Sequence, residues 1–231
     1  MTTSSLLKPM MTLTLVLAAG VTGIGCKRLA TPSDDAPATP VTPAAPPVQP
    51  NVLLISIDTL RPDHLGCYGY DRPTSPRIDR LASEGVLFEN HISSTSWTLP
   101  AHAAMFTSLV DSVHGCTDTD KKLSDSMVTL AERFSSAGFD TVGFFAGPYL
   151  HPAFGLAQGF DQYEDCTSYA QTLDSTPVES WAMDPKIMQD SHQDITTPAV
   201  LEAVKSWLAG HTSGRFFMFV HLWDVHFDFI P

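Results

Sequence analysis

Two apolar runs bracket the part of this chain that can fold around a core: Val52-Leu53-Leu54-Ile55-Ser56-Ile57 near the start and Phe216 to Leu222 near the end. Neither shows the strict polar alternation of a strand with one wet face. Such runs are expected in strands covered on both faces, as in a parallel sheet packed between helices. Helical patterns fill the interval. Thr74-Ser75-Pro76 opens a short helix with Ile78, Leu81 and Ala82 on one face, and Gly85 stops it. Val86 to Ile92 reads as a second extended segment and Thr98 to Leu109 as the next helix. Met127, Leu130, Ala131 and Phe134 recur at helical spacing before Gly138, and Thr141 to Phe145 follows as a strand. The stretch from about Asp165 to Thr196 carries little periodicity and reads as a long loop or insertion. A last helix has Pro198 in its first turn and Val200, Val204, Trp207 and Leu208 on one side. Strands alternating with helices predict an α/β sandwich around a mostly parallel sheet.

The residues before Asn51 have a different texture. Lys8 and the apolar run Met11 to Ala19 form an export leader, too short to span a bilayer as a mature helix. Gly23-Ile24-Gly25-Cys26 resembles a bacterial lipoprotein cleavage box, which implies cleavage before Cys26 and acylation of its thiol. An ordinary signal peptide with an incidental cysteine is the alternative. Seven prolines between Pro32 and Pro50 make residues 26–50 a semi-rigid tether, which suits a domain held off a membrane by a lipid anchor. The expected organisation is a leader over 1–25, the tether over 26–50 and a catalytic domain over 51–231. The expected location is outside the cytoplasm, anchored to the bacterial cell envelope. Cys67, Cys116 and Cys166 then allow at most one internal disulfide, and none has zinc-cluster spacing.

With 13 Lys and Arg against 25 Asp and Glu, the net charge is −12, which argues against nucleic acid as a partner. An anionic substrate remains compatible, because a bound metal can dominate the local field. In an open α/β sheet, ligands bind outside the carboxyl ends of the strands. Asp58 follows the first apolar run there, and Asp224 and His226 follow the last. Asp224 and His226, two apart, would share one side of an extended segment. Thr98, two residues before Pro100, is placed to cap a helix and also to act as a hydroxyl nucleophile beside exposed helix amides. Such a hydroxyl needs a base or a metal to activate it, and Asp58 suits a hard or borderline cation. His102 lies one turn beyond Thr98 on the same helix face, and Arg61 can clamp an anionic oxygen.

The run Asn51 to Tyr70, the segment Ser96 to His102, the stretch Gly155 to Tyr163 with its Gly-Phe-Asp, and Phe217 to His226 resemble, in order, the sulfatase-type enzymes of the alkaline phosphatase superfamily. The resemblance implies a three-layer α/β/α fold and a metal-bound nucleophile that attacks a sulfate or phosphate-type ester through a covalent intermediate. It makes Asp58 a metal ligand, puts Thr98 at the nucleophile position as both catalytic residue and ligand, places His102, the second catalytic candidate, where many sulfatases carry an arginine, and matches His226 to a substrate-side histidine. Arg61 is the further substrate-binding candidate.

Several positions depart from the pattern. Formylglycine enzymes need Cys or Ser in C/S-x-P-x-R, whereas this chain reads Thr98-Leu99-Pro100-Ala101-His102, so an unmodified threonine is expected instead. The usual paired aspartates are here Asp58-Thr59, and no Lys-x-His pair stands near Ala146 to Tyr149. Asp58 and Thr98 supply two ligands, whereas zinc takes about four and calcium about six to eight, so the divalent metal is not distinguished. The expectation is the N-terminal portion of a metal-dependent hydrolase of sulfate or phosphate esters, inactive as a fragment. A phosphoryl-group transferase of the envelope and an inactive sulfatase-like lipoprotein are the alternatives.

Overall fold

The computed structural model describes residues 50–226; the leader, Cys26 and the tether lie outside the described residues. Among the described residues four strands form one parallel sheet: β1 (Val52–Ile57), β2 (Asp140–Phe145), β3 (Gln162–Asp165) and β4 (Phe216–Leu222), in the order β1-β4-β2-β3. The helices are α1 (Pro76–Glu84), α2 (Thr98–Thr107), α3 (Asp111–His114), α4 (Leu130–Ser136), α5 (Ala170–Ser175), α6 (Pro185–Gln193) and α7 (Thr197–Gly210).

Strand periodicity sorts the core into two faces. On β4, Phe217 and Phe219 point to the side of α2 and α4, where they pack with Leu99, Phe106, Ala131 and Phe145. Met218 and Val220 point the other way and pack with Val142, Phe144 and Val200, with Trp207 of α7 beside them. Helices on both faces of a parallel sheet make the three-layer α/β/α sandwich expected of the resemblance. On β2, Gly143 leaves room for the Tyr163 ring, which an added Cβ would meet at 2.4 Å.

The structure corrects several sequence expectations. Among the described residues β1 is not covered on both faces. There it is an edge strand paired with β4, and Leu53 and Ile55 on its α7 side are 54% and 50% exposed because α7 packs over β2 and β4 instead. Residues 86–92 form no strand, and Val86, Phe88 and Ile92 are exposed. Among the described residues no strand pairs with this segment to order it. The expected apolar face of α1 is open too, with Leu81 exposed and no α1 residue buried. The stretch 165–196 is not a bare loop, since α5 and α6 lie within it and bury Leu173 and Ile187. β3, four residues with a polar sequence, went unrecognised. Cys67, Cys116 and Cys166 are all free, and burial pushes the Cys116 and Cys166 thiols up to about 11 and about 12.

Local capping explains two of the helix starts. Thr129 and Glu132 form a reciprocal capping box at α4, with hydrogen bonds of 3.1 and 2.8 Å. Asp224 does not share an extended face with His226, because β4 ends at Leu222 and a turn follows, closed by His226 N–H donating to Trp223 O. The Asp224 carboxylate turns back and accepts from Thr196 N–H, the Thr196 hydroxyl and Thr197 N–H at 2.8–2.9 Å, capping α7. Burial would raise its pKa, but the bonds from Thr197 and Thr196 outweigh that and hold it below the usual carboxylate range. Asp224→Ala should cost about 1–2 kcal/mol of stability, read as a lower urea midpoint at unchanged slope.

Candidate active site

The centre of the site is one hydrogen bond. The Thr98 hydroxyl donates to Asp58 Oδ2 at 3.0 Å, joining the start of α2 to the end of β1 across forty residues of sequence. Asp58 is 8% exposed, and its own N–H continues the β1–β4 ladder by donating to Leu222 O at 2.9 Å. The next residue, Thr59, has φ +52°, a costly conformation for a β-branched side chain. Its hydroxyl donates to Val225 O at 3.0 Å and ties the turn after β1 to the turn after β4.

Thr98 is the first residue of α2 rather than its cap, and Trp97 occupies the cap position with extended backbone. That frees the Thr98 hydroxyl for Asp58. First-turn amides have no acceptor within a helix. Pro100 lacks one, and Ala101 N–H donates to Trp97 O, which leaves the Thr98 and Leu99 amides without an acceptor inside the helix. A carboxylate accepting from a hydroxyl that stands next to helix amides can raise the nucleophilicity of that oxygen and balance charge on what it attacks.

Beneath this pair lies a layer of buried histidines. His102 donates from Nδ1 to Thr98 O at 2.8 Å, so its Nε2 accepts from the Ser56 hydroxyl at 2.8 Å. His221 donates from Nδ1 to Ala146 O at 2.8 Å. Its Nε2 is buried without a hydrogen-bond partner, 3.7 Å from Asp58 Oδ2. The two rings meet edge to face with centroids 5.0 Å apart. Burial pushes His102 below the ordinary histidine value, against the Thr98 carbonyl and the Asp58 charge, which pull it up. Burial and the neighbouring His102 push His221 well below that value.

The structure brings Asp58, Thr98 and His102 to the wall of one cavity, and Thr98 and His226 to the wall of another. Arg61 is elsewhere: it is exposed and pairs with Asp63, with Nε donating to Oδ1 at 3.0 Å, and it lines neither cavity. His226 lies flat on the Trp223 ring, 4.1 Å away at 13°. Gly147 makes room for that indole, since its φ is +96° and an added Cβ would meet the Trp223 ring at 2.5 Å. Sequence reasoning missed Ser56, His221, Trp97, Tyr149 and Trp223. The polar members of the two buried strands, Ser56 and His221, were the available signal.

Of the donors a metal ion would need, the described residues bring together only the Asp58 carboxylate and the Thr98 hydroxyl. Asp58 and Thr98 present two oxygens, and the orphaned His221 Nε2 points at the same carboxylate. Among the described residues no group of three His, Cys, Asp or Glu is placed to hold an ion.

Residues 50–230 match the sulfatase family model, and the chain belongs to that family. An arylsulfatase of Clostridium perfringens is 32% identical over 95 residues, 41% of this chain and 20% of that protein. A human N-acetylgalactosamine-6-sulfatase is 30% identical over 137 residues, covering 51% of this chain and 25% of that protein. The chain thus matches about a fifth to a quarter of the length of these relatives. A phosphonate monoester hydrolase of Agrobacterium radiobacter shares the fold at a TM-score of 0.58 and 24% identity, over 77% of this chain and 41% of that one.

The histidine layer has a consequence in acid. Both imidazoles are pushed below the ordinary histidine value in the folded state, whereas the unfolded chain protonates them near about 6.5. Below that pH the unfolded state binds more protons, so the stability is present above about pH 6.5 and declines as pH falls further. Thermal melts at decreasing pH should show the midpoint dropping through this range, and His102→Gln should flatten the slope.

Proposed function

We infer that this chain carries the nucleophile end of an active site that hydrolyses sulfate or phosphate-type esters, with Thr98 attacking the sulfur or phosphorus. The observation that carries the reading is the Thr98 hydroxyl donating to Asp58 at the carboxyl edge of the sheet. In the attack, Thr98 Oγ1 forms a bond to the sulfur or phosphorus, its proton passes to Asp58, and the ester oxygen departs with the organic group and takes up that proton. Water then attacks the same sulfur or phosphorus, the bond to Thr98 Oγ1 breaks, and a proton of that water restores the Thr98 hydroxyl. The Thr98 and Leu99 amides balance charge on the transferred group, and His226 is the substrate-side contact. His102 acts as a positioning residue in this reading, because both its ring nitrogens are already engaged by Ser56 and Thr98 O. Family membership supports an ester hydrolase of this kind, and the unmodified threonine is favoured by the Thr98-Leu99-Pro100-Ala101-His102 sequence.

Metal dependence is part of the proposal, with Asp58 and Thr98 as two of the ligands and the remaining donors still to be supplied. Calcium and zinc both suit this oxygen pair. Where a protein carrying this domain hydrolyses a sulfate or phosphate ester, Thr98→Ala should lower kcat by on the order of 10³-fold or more, and Thr98→Ser should retain part of it. Mass analysis of quenched reactions should find one sulfuryl or phosphoryl group on the peptide containing Thr98. Unchanged turnover in Thr98→Ala would remove the assignment.

The exported, lipid-anchored location is proposed from the leader, Cys26 and the proline-rich tether. Among the described residues no helix is long and apolar enough to cross a membrane. Labelled fatty acid fed to expressing bacteria should be incorporated into the chain, and Cys26→Ala should abolish the label and release the protein from the membrane fraction.

A further inference from the structure

β3 leads into a buried polar knot at the end of the sheet away from β1. Asp165 is the last residue of the strand, and Thr167 and Tyr169 follow at 8% and 4% exposure. Among the described residues, Asp165 Oδ2, Thr167 Oγ1 and the Tyr169 hydroxyl are all buried without a hydrogen-bond partner. Asp165 Oδ1 accepts from Thr167 N–H at 2.9 Å, so the carboxylate is held with its second oxygen left over. Burial raises the Asp165 pKa, and the bond from the Thr167 N–H works against that. Burial raises Tyr169 as well, and the charges of Asp165, Asp194 and Asp190 add to it, which puts its hydroxyl in the field of those carboxylates. A buried oxygen left unmet is costly, and an ionised one more so.

The positive groups nearby are already engaged. Lys186 pairs with Asp190, and His151 accepts from Ala153 N–H at Nδ1 and donates from Nε2 to Asp174 at 3.2 Å. Among the described residues no Lys or Arg pairs with Asp165 or Asp194. Asp194 Oδ2 instead accepts from Ser168 N–H at 2.7 Å, which ties the start of the stretch 165–196 to its end. A water molecule can bridge three oxygens, but it brings no charge to balance the carboxylates. Hard cations take oxygen donors, and divalent ones gather several carboxylates. Among the described residues no three His, Cys, Asp or Glu are so placed. One carboxylate oxygen with two hydroxyls fits a singly charged ion better.

We propose that an alkali cation binds among Asp165 Oδ2, Thr167 Oγ1 and the Tyr169 hydroxyl, and that it clamps the neck of the stretch carrying α5 and α6. The site is independent of the ester chemistry at Thr98. In the order β1-β4-β2-β3, β1 and β3 stand at opposite ends, three strand spacings or about 14 Å apart. Asp165 and Thr167 come from β3 and the turn after it, and Tyr169 from the residue that opens α5. α6 ends at Gln193, one residue before Asp194, so the Ser168–Asp194 bond closes the stretch at the same neck. The ion offsets the charge of both carboxylates there.

Thermal melts of the 231-residue chain in sodium, potassium and tetramethylammonium chloride at equal ionic strength test this. An ion held only by the folded chain should raise the midpoint by about 3–6 °C at tenfold above its dissociation constant. Tetramethylammonium, too large for the site, should give no rise. Tyr169→Phe and Thr167→Val each delete one oxygen and nearly keep the shape, so each should lose most of the rise. In tetramethylammonium both should melt no lower than the unsubstituted chain, because an unmet buried hydroxyl is gone. Asp165→Asn should abolish the response, and the two hydroxyl variants decide the matter if that chain does not fold. Asp58→Asn should keep it. Equal midpoints in all three salts would mean a bound water only and overturn the proposal. So would an undiminished response in Tyr169→Phe and Thr167→Val, or its loss in Asp58→Asn. A response to only one of sodium and potassium supports the site and identifies its ion.

Discussion

Everything at the site depends on β4 lying between β1 and β2 in parallel register. Leu222 accepts the Asp58 N–H and so fixes where the carboxylate emerges. One residue earlier, His221 reaches Ala146 at the end of β2. Just beyond the strand, Trp223 fills the space over Gly147, Asp224 caps α7, and His226 stacks on Trp223. A shift of β4 by one residue would exchange its two faces, putting Phe217, Phe219 and His221 against α7 and removing every one of these contacts.

The site combines a strained, polar rim with a rigid base. Thr59 takes up a left-handed conformation so that the chain can turn directly after Asp58. Below, Ser56, His102 and His221 occupy the same face as Phe219, so the polar layer continues the aromatic core rather than interrupting it. His102 thereby links the helix start to β1, holding Thr98 by its own carbonyl and β1 by the Ser56 hydroxyl. Neutral imidazoles can do this in a buried setting because each can donate from one nitrogen and accept at the other.

Legibility in the sequence followed the size of the local signal. β1, β2, β4, α2 and α7 are long apolar or periodic segments: the three strands match their expected ranges within a residue, α2 ends two residues early at Thr107, and α7 has Pro198 in its first turn as expected. β3 is four residues, Gln162-Tyr163-Glu164-Asp165, whose strand character comes from pairing with β2 and not from its own composition. α5, α6 and the turn between them are short and owe their order to packing of Leu173, Ile187 and Trp181 on the aromatic core. Segment 86–92 had the right residues for a strand but no partner among the described residues. At the site, Asp58 and Thr98 were readable because strand ends and helix starts are positions with known exposure. Arg61 was named on charge alone, and in the structure its charge is taken up by Asp63.

By itself the sequence determined the alternation of buried strands with helices, and hence an α/β sandwich, because apolar periodicity is a local property that survives any choice of partners. It also determined the chemical groups available: one carboxylate after β1, one hydroxyl at the head of α2, and histidines after and within β4. Only the tertiary structure decided which of them meet. The Thr98–Asp58 bond spans forty residues, the His221–Asp58 approach spans more, and the cavity between Thr98 and His226 draws on α2, the loops after β2 and β4, and α6. Contacts across such separations are set by sheet order and register, which no local pattern encodes.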